Sequence, residues 1–317
     1  MHAAVLTAPG QVRLEDLPVP KPGPKDVLVR LEGCGICGSN LPVWEGRPWF
    51  EYPLPAGKPG HEGWGYVEDI GENVTRVRVG ERVAVLSYCA FAEYDVGSEN
   101  AVVPLPAELD GKPFPGEALG CAMNVFGRCD IRAGENVAIV GIGFLGALLT
   151  ALCARAGANV IAISRRTFAL EIARQFGAQE AMPMENHQQI IEGVKSLTAG
   201  KGCDCVIEAV GHQWPLDLAG ELTCERGRLI IAGYHQDGPR QVNMQLWNWR
   251  GLDVINAHER DPKIYIEGIR AAAEAVARGA LDPSPLYTHS CSLPDLADAL
   301  NALKERPANF LKALVTI

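Results

Sequence analysis

The sequence predicts an α/β protein of two domains: a mostly antiparallel β domain and a domain with a doubly wound parallel sheet. Its 317 residues are long for one hydrophobic core and sufficient for two. Up to about Val103, short β-type runs are separated by Gly and Pro. From about Gly134, strand and helix patterns alternate, which indicates a parallel sheet covered on both faces.

The composition disfavours several classes of function. A formal net charge of −9 argues against nucleic acid or an anionic membrane as the main partner. The N-terminal residues lack the charged start and long apolar stretch of a signal peptide. The longest apolar run, 139–154, is interrupted by glycines and is too short to span a membrane. Ten cysteines without a secretory signal are typical of reduced thiols, so we expect a soluble, cytoplasmic protein.

The second half of the chain supplies most of the predicted elements. Buried strands are predicted for the apolar runs NVAIVGIG, NVIAIS, CDCVIEAVG and GRLIIAGY. The segments between them predict helices at GALLTALCARAG, which Gly157 ends, at FALEIARQFGA and at PLDLAGEL. After Ala257, the helical patterns IYIEGIRAAAEAVARG and LPDLADALNALKE precede a final strand, ALVTI. No internal repeat or low-complexity segment stands out.

A glycine pattern in this region predicts a dinucleotide site. Gly141, Gly143 and Gly146 form G-x-G-x-x-G between the strand NVAIV and the next helix, with Phe144 and Leu145 inside the pattern. The first glycine allows a tight turn, and the second lets the backbone approach a pyrophosphate at the helix N-terminus. The third brings helix and strand close together. Strand, turn, helix and second strand follow in the required order, so we expect this segment to bind the cofactor.

The end of the second strand indicates which dinucleotide binds. A site for NAD has an acidic residue there, about 20 residues past the glycines, which bonds the ribose 2′-hydroxyl. This chain has Ser164, Arg165 and Arg166 instead. A small hydroxyl with two guanidiniums suits a 2′-phosphate, although the arginines could also be solvated at a helix start. We therefore expect NADP in preference to NAD.

Two segments of the first domain, GCGICGSN and GHEGWGYVEDIGENV, contain candidate metal ligands. A redox C-x-x-C normally opens a helix, whereas Cys34 and Cys37 follow a strand pattern amid glycines. A structural zinc knuckle would need a second cysteine pair nearby, which the sequence lacks. Cys37, His61 and Glu62 offer a thiolate, an imidazole and a carboxylate, a mixed set that can leave zinc an open position. Cys34 is then expected to be a small core residue.

With these segments, the sequence resembles the zinc-dependent medium-chain dehydrogenase/reductase family, in its polyol and threonine dehydrogenase-like branch. The resemblance covers essentially the whole chain. It includes the specific signature GHE-x-x-G-x5-G-x-x-V, formed by Gly60, His61, Glu62, Gly65, Gly71 and Val74. It implies a GroES-like, mostly antiparallel catalytic domain at residues 1–122 and 258–317. It also implies a Rossmann domain with a doubly wound parallel sheet at residues 123–257.

The resemblance further implies roles for single residues near the metal. Cys37 and His61 correspond to zinc ligands, and Glu62 to a ligand or a close neighbour of the zinc. Ser39 lies where the family keeps a Ser or Thr that takes the hydroxyl proton of the substrate. A local turn hydrogen bond is its alternative role. The catalytic residues expected from the resemblance are thus Ser39, Cys37 and His61.

The family takes its remaining ligand from the segment just before the nucleotide domain, here PGEALGCAMNVFGR. When the segment is aligned back from GENVAIVGIG, Glu117 falls on the glutamate of the polyol-type enzymes. Cys121 is a competing choice, because simple alcohol dehydrogenases use a cysteine in this segment. We favour Glu117, and the expected metal ligands are then Cys37, His61, Glu62 and Glu117.

Three departures from the family pattern matter. Asn40 replaces an Asp that orients the zinc-binding histidine, and we expect the Asn40 carbonyl to accept the imidazole N–H of His61. Pro42 replaces a histidine that often relays the proton, and His258 is a candidate substitute, with an interdomain hydrogen bond as its alternative role. The lobe for a second, structural zinc is absent, because VAVLSYCAFAEYDVG runs through its place. One zinc ion per chain is therefore expected.

Aromatic residues suggest two further contacts. Trp44, Trp49 and Phe50 follow the metal loop and either wall the substrate pocket or belong to the core or a lid. Trp247 and Trp249 lie near the end of the nucleotide domain, where the family forms subunit contacts. A homodimer or homotetramer is therefore expected.

The function that the resemblance implies is hydride transfer between NADP(H) and a zinc-bound secondary alcohol or ketone, such as a polyol, sugar or amino alcohol. One alternative is a zinc-free quinone or enoyl-type reductase of the same fold, whose relatives usually lack the set Cys37, His61 and Glu117. Another is a catalytically silent NADPH-binding protein, which only Asn40 and Pro42 favour. No motif in the sequence specifies the substrate.

Overall fold

Fifteen β-strands and nine α-helices, numbered in chain order, make up the regular secondary structure. The structure is a computed structural model that describes residues 1–317. The strands are β1 (His2–Ala8), β2 (Gln11–Asp16), β3 (Asp26–Ile36), β4 (Gly63–Ile70), β5 (Arg82–Val85), β6 (Tyr94–Ser98), β7 (Val102–Pro104), β8 (Asn136–Val140), β9 (Asn159–Ser164), β10 (Glu180–Pro183), β11 (Cys203–Glu208), β12 (Thr223–Ile231), β13 (Asp253–Asn256), β14 (Tyr287–Ser292) and β15 (Lys312–Thr316). The α-helices are α1 (Leu41–Trp44), α2 (Gly116–Cys129), α3 (Phe144–Arg155), α4 (Thr167–Gln175), α5 (His187–Leu197), α6 (Gln213–Leu222), α7 (Met244–Arg250), α8 (Pro262–Ala277) and α9 (Leu296–Glu305).

The chain divides into two units, each with its own hydrophobic core. The first unit comprises Met1–Cys121 and Arg260–Ile317, and the second comprises Ala122–Glu259. The division falls within α2, whose first turns belong to the first unit.

The first unit is built on a mostly antiparallel sheet with the order β14-β15-β3-β4-β5-β7, to which β6 adds by pairing with β3. Only β14 and β15 run parallel to each other. The long strand β3 is almost entirely buried and pairs with β4, β6 and β15. Because β3 and β4 are antiparallel, with Cys34 opposite Gly63, the residues after β3 lie beside those before β4. This register brings together the two segments that contain the candidate ligands.

The second unit is a six-stranded sheet with the order β10-β9-β8-β11-β12-β13, and all its pairs are parallel. Strands β8 and β9 are apolar and buried along most of their length, as expected for a parallel sheet with helices on its faces. Helix α3 starts directly after the glycine turn that follows β8 and ends before Gly157, whose φ is +87°. The predicted fold class is confirmed.

The predicted strands and helices of the second half are all present, but five further elements were not predicted. These are β10, α5, α7, β13 and β14. None of the three strands has a fully buried residue, so they lack the apolar run by which a buried strand is recognised. None of the helices is both long and apolar enough to cross a bilayer.

Candidate active site

Three of the four predicted metal ligands form one cluster in the first unit. Cys37 follows β3 and precedes a 3₁₀ turn, while His61 and Glu62 immediately precede β4. The ligand atoms of these three residues all lie within 4.8 Å of one another. The cluster results from the antiparallel pairing of β3 and β4. Cys37 and His61 are 24 positions apart in the sequence, but this pairing places the end of β3 beside the start of β4.

Hydrogen bonds orient the imidazole of His61. Its Nδ1 lies 2.8 Å from the carbonyl oxygen of Pro59, which can only accept, so Nδ1 carries a hydrogen. On the other side, Nε2 lies 3.3 Å from Ser39 Oγ and 4.0 Å from Glu117 Oε2. Fixing Nδ1–H against a carbonyl leaves the Nε2 lone pair available to a metal, as in known His–metal sites.

Asn40 does not contact the imidazole, and the expectation that its carbonyl accepts the His61 N–H is wrong. Its Oδ1 instead accepts from the backbone N–H of Cys37 at 2.9 Å, and its Nδ2 donates to the Pro59 carbonyl at 3.1 Å. The Pro59 oxygen thus receives both the Asn40 amide and the His61 ring. An Asp at position 40 could not donate to this carbonyl while ionised, so the amide suits this buried position.

Glu62 is fully buried and forms an ion pair with Lys312, which is 3% exposed. The Lys312 Nζ lies 2.6 Å from Oε1 and 2.5 Å from Oε2 of Glu62. Gly35 accommodates the carboxylate, because a Cβ at this position would lie 1.8 Å from Glu62 Oε2. The sequence analysis missed Lys312, which lies 250 positions after its partner. Nothing in the local sequence of β15 signals such a contact.

Helix α2 brings Glu117 and Cys121 to the same cluster from one face, since they lie four residues apart. Neither Glu117 nor Cys121 belongs to the set of ligand atoms that are all within 4.8 Å of one another. Glu117 Oε2 nevertheless lies 4.0 Å from His61 Nε2. Burial raises the pKa of Glu117 above its usual value. Burial, followed by the charges of Glu117 and Cys37, raises the pKa of the Cys121 thiol.

The cluster has more groups that can carry a negative charge, namely Cys37, Glu62 and Glu117, than groups that can carry a positive one, namely His61 and Lys312. Burial alone would lower the pKa of His61, but the hydrogen bond and charge of Cys37 and the charges of Glu117 and Glu62 raise it to about 10. Lys312 neutralises one carboxylate only. Thiolate, imidazole and carboxylate are all ligands that zinc accepts. The donor set therefore fits a zinc ion.

The aromatic residues after the metal loop differ in their surroundings. Trp44 is buried in the core of the first unit, where its Nε1 donates to Asn301 Oδ1 at 3.0 Å. Trp49 is 58% exposed and lies against Phe50, with ring centroids 6.1 Å apart. The sequence analysis did not consider Tyr88, whose exposed ring lies 6.2 Å from that of His61.

The glycine turn in the second unit has the geometry of a phosphate-binding loop. Gly141 has φ +103°, and a Cβ on it would lie 2.3 Å from Val210 Cγ2. Gly143 precedes helix α3, and a Cβ there would meet no atom within 4 Å, so this side of the turn is open. Phe144 and Leu145 form the first turn of α3 and are partly buried. An anion at this helix N-terminus would face the backbone N–H groups of the first turn.

The residues at the end of β9 differ in how they are held. Ser164 is buried, and its Oγ accepts from the backbone N–H of Arg166 at 3.3 Å. The Arg166 guanidinium donates to the Ile142 carbonyl at 3.2 Å, and so ties this segment to the glycine turn. Arg165 is exposed, and its guanidinium makes no hydrogen bond or ion pair with the protein. Only Arg165 therefore has a guanidinium fully available to a ligand.

Three ring-bearing residues of the second unit, His258, Trp247 and Trp249, were assigned candidate roles from the sequence. The ring of His258 stacks on that of Tyr234, with centroids 5.8 Å apart and planes inclined by 27°. Trp249 is 87% exposed, whereas Trp247 is partly buried and packs against the core.

Two family profiles match consecutive parts of the chain. Residues 23–154 match the alcohol dehydrogenase GroES-like domain, and residues 145–274 match the zinc-binding dehydrogenase profile. Over 378 residues, the chain is 26% identical to an alcohol dehydrogenase of Cupriavidus necator, with 99% of this chain and 98% of that protein covered. An L-threonine 3-dehydrogenase of Rhizobium etli is 26% identical over an alignment of 347 positions, which covers 96% of this chain and 96% of that protein. A solved structure from Sinorhizobium meliloti 1021, bound to NADP, superposes with a TM-score of 0.84 at 25% identity, over 100% of this chain and 99% of that one.

Proposed function

Since the chain belongs to the zinc-type, alcohol dehydrogenase-like medium-chain dehydrogenase/reductase family, in its polyol and threonine dehydrogenase-like branch, we propose that it transfers hydride between NADP(H) and a secondary alcohol or ketone. The coarser activity, nicotinamide-dependent dehydrogenation of an alcohol, follows from the family. The observation that supports the zinc-dependent form is the close grouping of the Cys37, His61 and Glu62 ligand atoms, with Glu117 Oε2 4.0 Å from His61 Nε2.

We propose that Cys37, His61 and Glu117 hold the metal. Glu62 lies in the same cluster but already has Lys312 as its cation, so it would bind the metal only by sharing or leaving that partner. When bound, zinc would supply a Lewis acid that polarises the oxygen of the alcohol or ketone. Cys121, one helical turn after Glu117, is the competing ligand.

Ser39 is proposed to accept the hydroxyl proton of the substrate. Its Oγ lies 3.3 Å from His61 Nε2, on the side of the ring that faces the cluster. It is partly exposed, so a proton could pass from it to solvent. The stack of His258 on Tyr234 gives the His258 ring a partner within the second unit, which weakens the case for His258 as the next carrier.

NADP is proposed as the preferred cofactor because the end of β9 offers a guanidinium and no carboxylate. The exposed Arg165 could pair with a 2′-phosphate, and the hydroxyl of Ser164 is close to the same turn. Arg166 contributes by fixing the segment to Ile142 of the glycine turn. A carboxylate at this strand end, as NAD sites have, is absent from the sequence.

A panel of secondary alcohols, polyols and amino alcohols, and of the matching ketones, assayed with NADP and NAD, tests the proposal. We expect turnover with at least one member, a higher kcat/KM with NADP, and loss of activity after chelation that added zinc restores. Reduction of quinones or enones that chelation does not affect would indicate the zinc-free reductase instead. Binding of NADPH without turnover of any member would indicate the silent protein.

We also propose that two copies associate through the second unit. Strand β13 is the terminal strand of the parallel sheet, so one of its edges lacks a partner in the chain. Nearby in sequence, Met244 is 60% exposed and Trp249 is 87% exposed, which is unusual for large apolar side chains. Light scattering at micromolar concentration should show a dimer or tetramer that Trp249→Glu weakens. A monomeric wild-type protein would contradict this proposal.

A further inference from the structure

A buried carboxylate outside the residues discussed so far, Glu208, ends strand β11. Its exposure is 0%. Its Oε1 accepts hydrogen bonds from the backbone N–H groups of Val210 at 2.8 Å and Gly211 at 2.7 Å. Its Oε2 lies 3.0 Å from Nε2 of His235. A buried carboxylate is tolerated only with such partners, so the turn after β11 and His235 are held by one charged group.

Arg240 determines which ring nitrogen of His235 carries the hydrogen. The Nε of Arg240 lies 3.0 Å from His235 Nδ1, and a guanidinium can only donate. Nδ1 therefore accepts, and Nε2 carries the hydrogen that is donated to Glu208. The side chains of His235 and Arg240 are each 15% exposed. A neutral imidazole thus joins an arginine near the surface to a fully buried glutamate.

This network joins the turns after β11 and β12 at the carboxyl edge of the parallel sheet, beside the glycine turn. Because β11 pairs with β8, the turn after β11 lies beside the glycine turn, and a Cβ on Gly141 would be 2.3 Å from Val210 Cγ2. The turn after β12 adjoins from the other side. A Cβ on Gly233 would lie 2.3 Å from the Gly211 nitrogen and 2.6 Å from Glu208 Oε2. Gly141 and Gly233 therefore have no room for a side chain where the turns meet.

The segment between β12 and α7 is attached to the same turn by further bonds. Arg240 donates to the Gly211 carbonyl at 2.8 Å. Gln213 donates to the Gln241 carbonyl at 2.7 Å and accepts from the Gln241 N–H at 2.9 Å. The segment is therefore anchored at His235, Arg240 and Gln241, and each anchor leads to residues 208–213.

We propose that Glu208, His235 and Arg240 are positioning residues for the dinucleotide: they hold the turns after β11 and β12 against the glycine turn and so form in advance the surface that receives the cofactor. The inference rests on the proposed function, since it assumes that the glycine turn binds a nicotinamide dinucleotide. Ligands at such sheets bind outside the carboxyl ends of the strands, which is where the three turns meet. A surface ordered before binding avoids the loss of conformational freedom that binding would otherwise require.

Binding of NADPH to the purified enzyme without substrate, measured by fluorescence titration, tests the proposal separately from turnover. His235→Phe keeps a ring but loses both hydrogen bonds, and leaves a buried charge short of a partner. We expect it to weaken NADPH binding about tenfold or more, because the buried Glu208 carboxylate loses a hydrogen bond and the two turns are no longer held together. His235→Gln can still donate to Glu208 and accept from Arg240, so its affinity should stay close to that of the wild type. His187→Phe, on α5 of the same unit, is the matched control and should bind as the wild type does.

Hydrogen exchange of the Val210 and Gly211 amides distinguishes positioning from a general loss of stability. In His235→Phe these amides should exchange faster, while exchange in β8 and β9 is unchanged. Should His235→Phe fail to fold, Arg240→Met decides, with NADPH binding expected to fall by about threefold or more since the hydrogen bonds of Arg240 to His235 and to the Gly211 carbonyl are lost. Equal NADPH affinities of the wild type and of the folded variant would overturn this inference alone. Failure of the wild type to bind NADPH or NADH would overturn the proposed function and this inference with it.

Discussion

The metal cluster and the glycine turn are both candidate binding sites, yet they are built in opposite ways. The cluster consists of charged and polar side chains from distant parts of the sequence, from Cys37 to Lys312, which the sheet and α2 bring together. The turn consists of backbone from one contiguous stretch, 141–146, and functions through the space it leaves open. The first site thus depends on charge balance, and the second on backbone shape.

This difference predicts how each site responds to substitution. Removing one member of a buried ion pair leaves its partner as an uncompensated buried charge. The free energy of unfolding then falls by several kcal/mol. Adding a methyl group to a glycine turn changes only the local space and backbone conformation, and the cost is smaller and depends on the position. The following predictions run from the largest expected effect to the smallest.

Cys37→Ser should have the largest effect. The serine hydroxyl is a poor zinc ligand, and a metal that polarises the substrate oxygen is worth several kcal/mol, so kcat/KM should fall about a thousandfold or more. The zinc content measured by mass spectrometry should fall in parallel. Cys291→Ser, at a partly buried cysteine of the same unit, should retain both zinc and activity. Full zinc content and activity in Cys37→Ser would rule out Cys37 as a ligand.

Lys312→Met should destabilise the first unit by about 3–5 kcal/mol, because it leaves the buried Glu62 carboxylate without its cation. The double variant Glu62→Gln with Lys312→Met should recover much of this loss, since no charge then remains unpaired. Urea unfolding followed by circular dichroism measures both effects. If the single and double variants are equally unstable, the ion pair is not the cause.

Alanine at two glycines of the turn should separate the requirements of the fold from those of the ligand. Gly141→Ala places a methyl group 2.3 Å from Val210 Cγ2 at a φ of +103°, which should destabilise the second unit by about 1–3 kcal/mol. Gly143→Ala meets no protein atom within 4 Å, so its stability should be unchanged. It should nevertheless weaken NADPH binding about tenfold, because the methyl group occupies the open side where the pyrophosphate approaches. Identical behaviour of the two variants in thermal unfolding and NADPH titration would refute this distinction.

Arg165→Ala should have the most selective effect, because it changes catalysis with one cofactor only. Loss of one exposed guanidinium that pairs with a phosphate should lower kcat/KM with NADP about tenfold and leave the value with NAD unchanged. Arg128→Ala, at an exposed arginine of the same unit, is the control and should affect neither cofactor. An equal loss with both cofactors would show that Arg165 does not recognise the 2′-phosphate.

The same comparison explains what could be predicted from the sequence. The parallel sheet and the glycine turn were predictable because their signals are local: apolar runs such as NVAIV and NVIAIS, and glycines at fixed spacing between a strand and a helix. The proximity of Cys37 to His61 and Glu62 was suggested by family resemblance and follows physically from the register of β3 and β4.

The remaining contacts depend on tertiary structure that no local pattern encodes. Lys312 reaches Glu62 from the last strand, KALVT, of which it is the first residue. The residues that follow it, ALVT, are typical of any buried strand. The role of Asn40 was predicted wrongly because the family pattern at this position does not reveal that the Pro59 carbonyl accepts the ring N–H of His61. The bonds among Glu208, His235 and Arg240 likewise join two separate turns.

The most direct test of the zinc site is an anomalous difference map from crystals of the active protein, collected at the zinc absorption edge. We expect one peak per chain, bonded to Cys37 Sγ, His61 Nε2 and a carboxylate oxygen of Glu117. Crystals of protein that oxidises a secondary alcohol with NADP but shows no peak in this cluster would contradict the proposed zinc site.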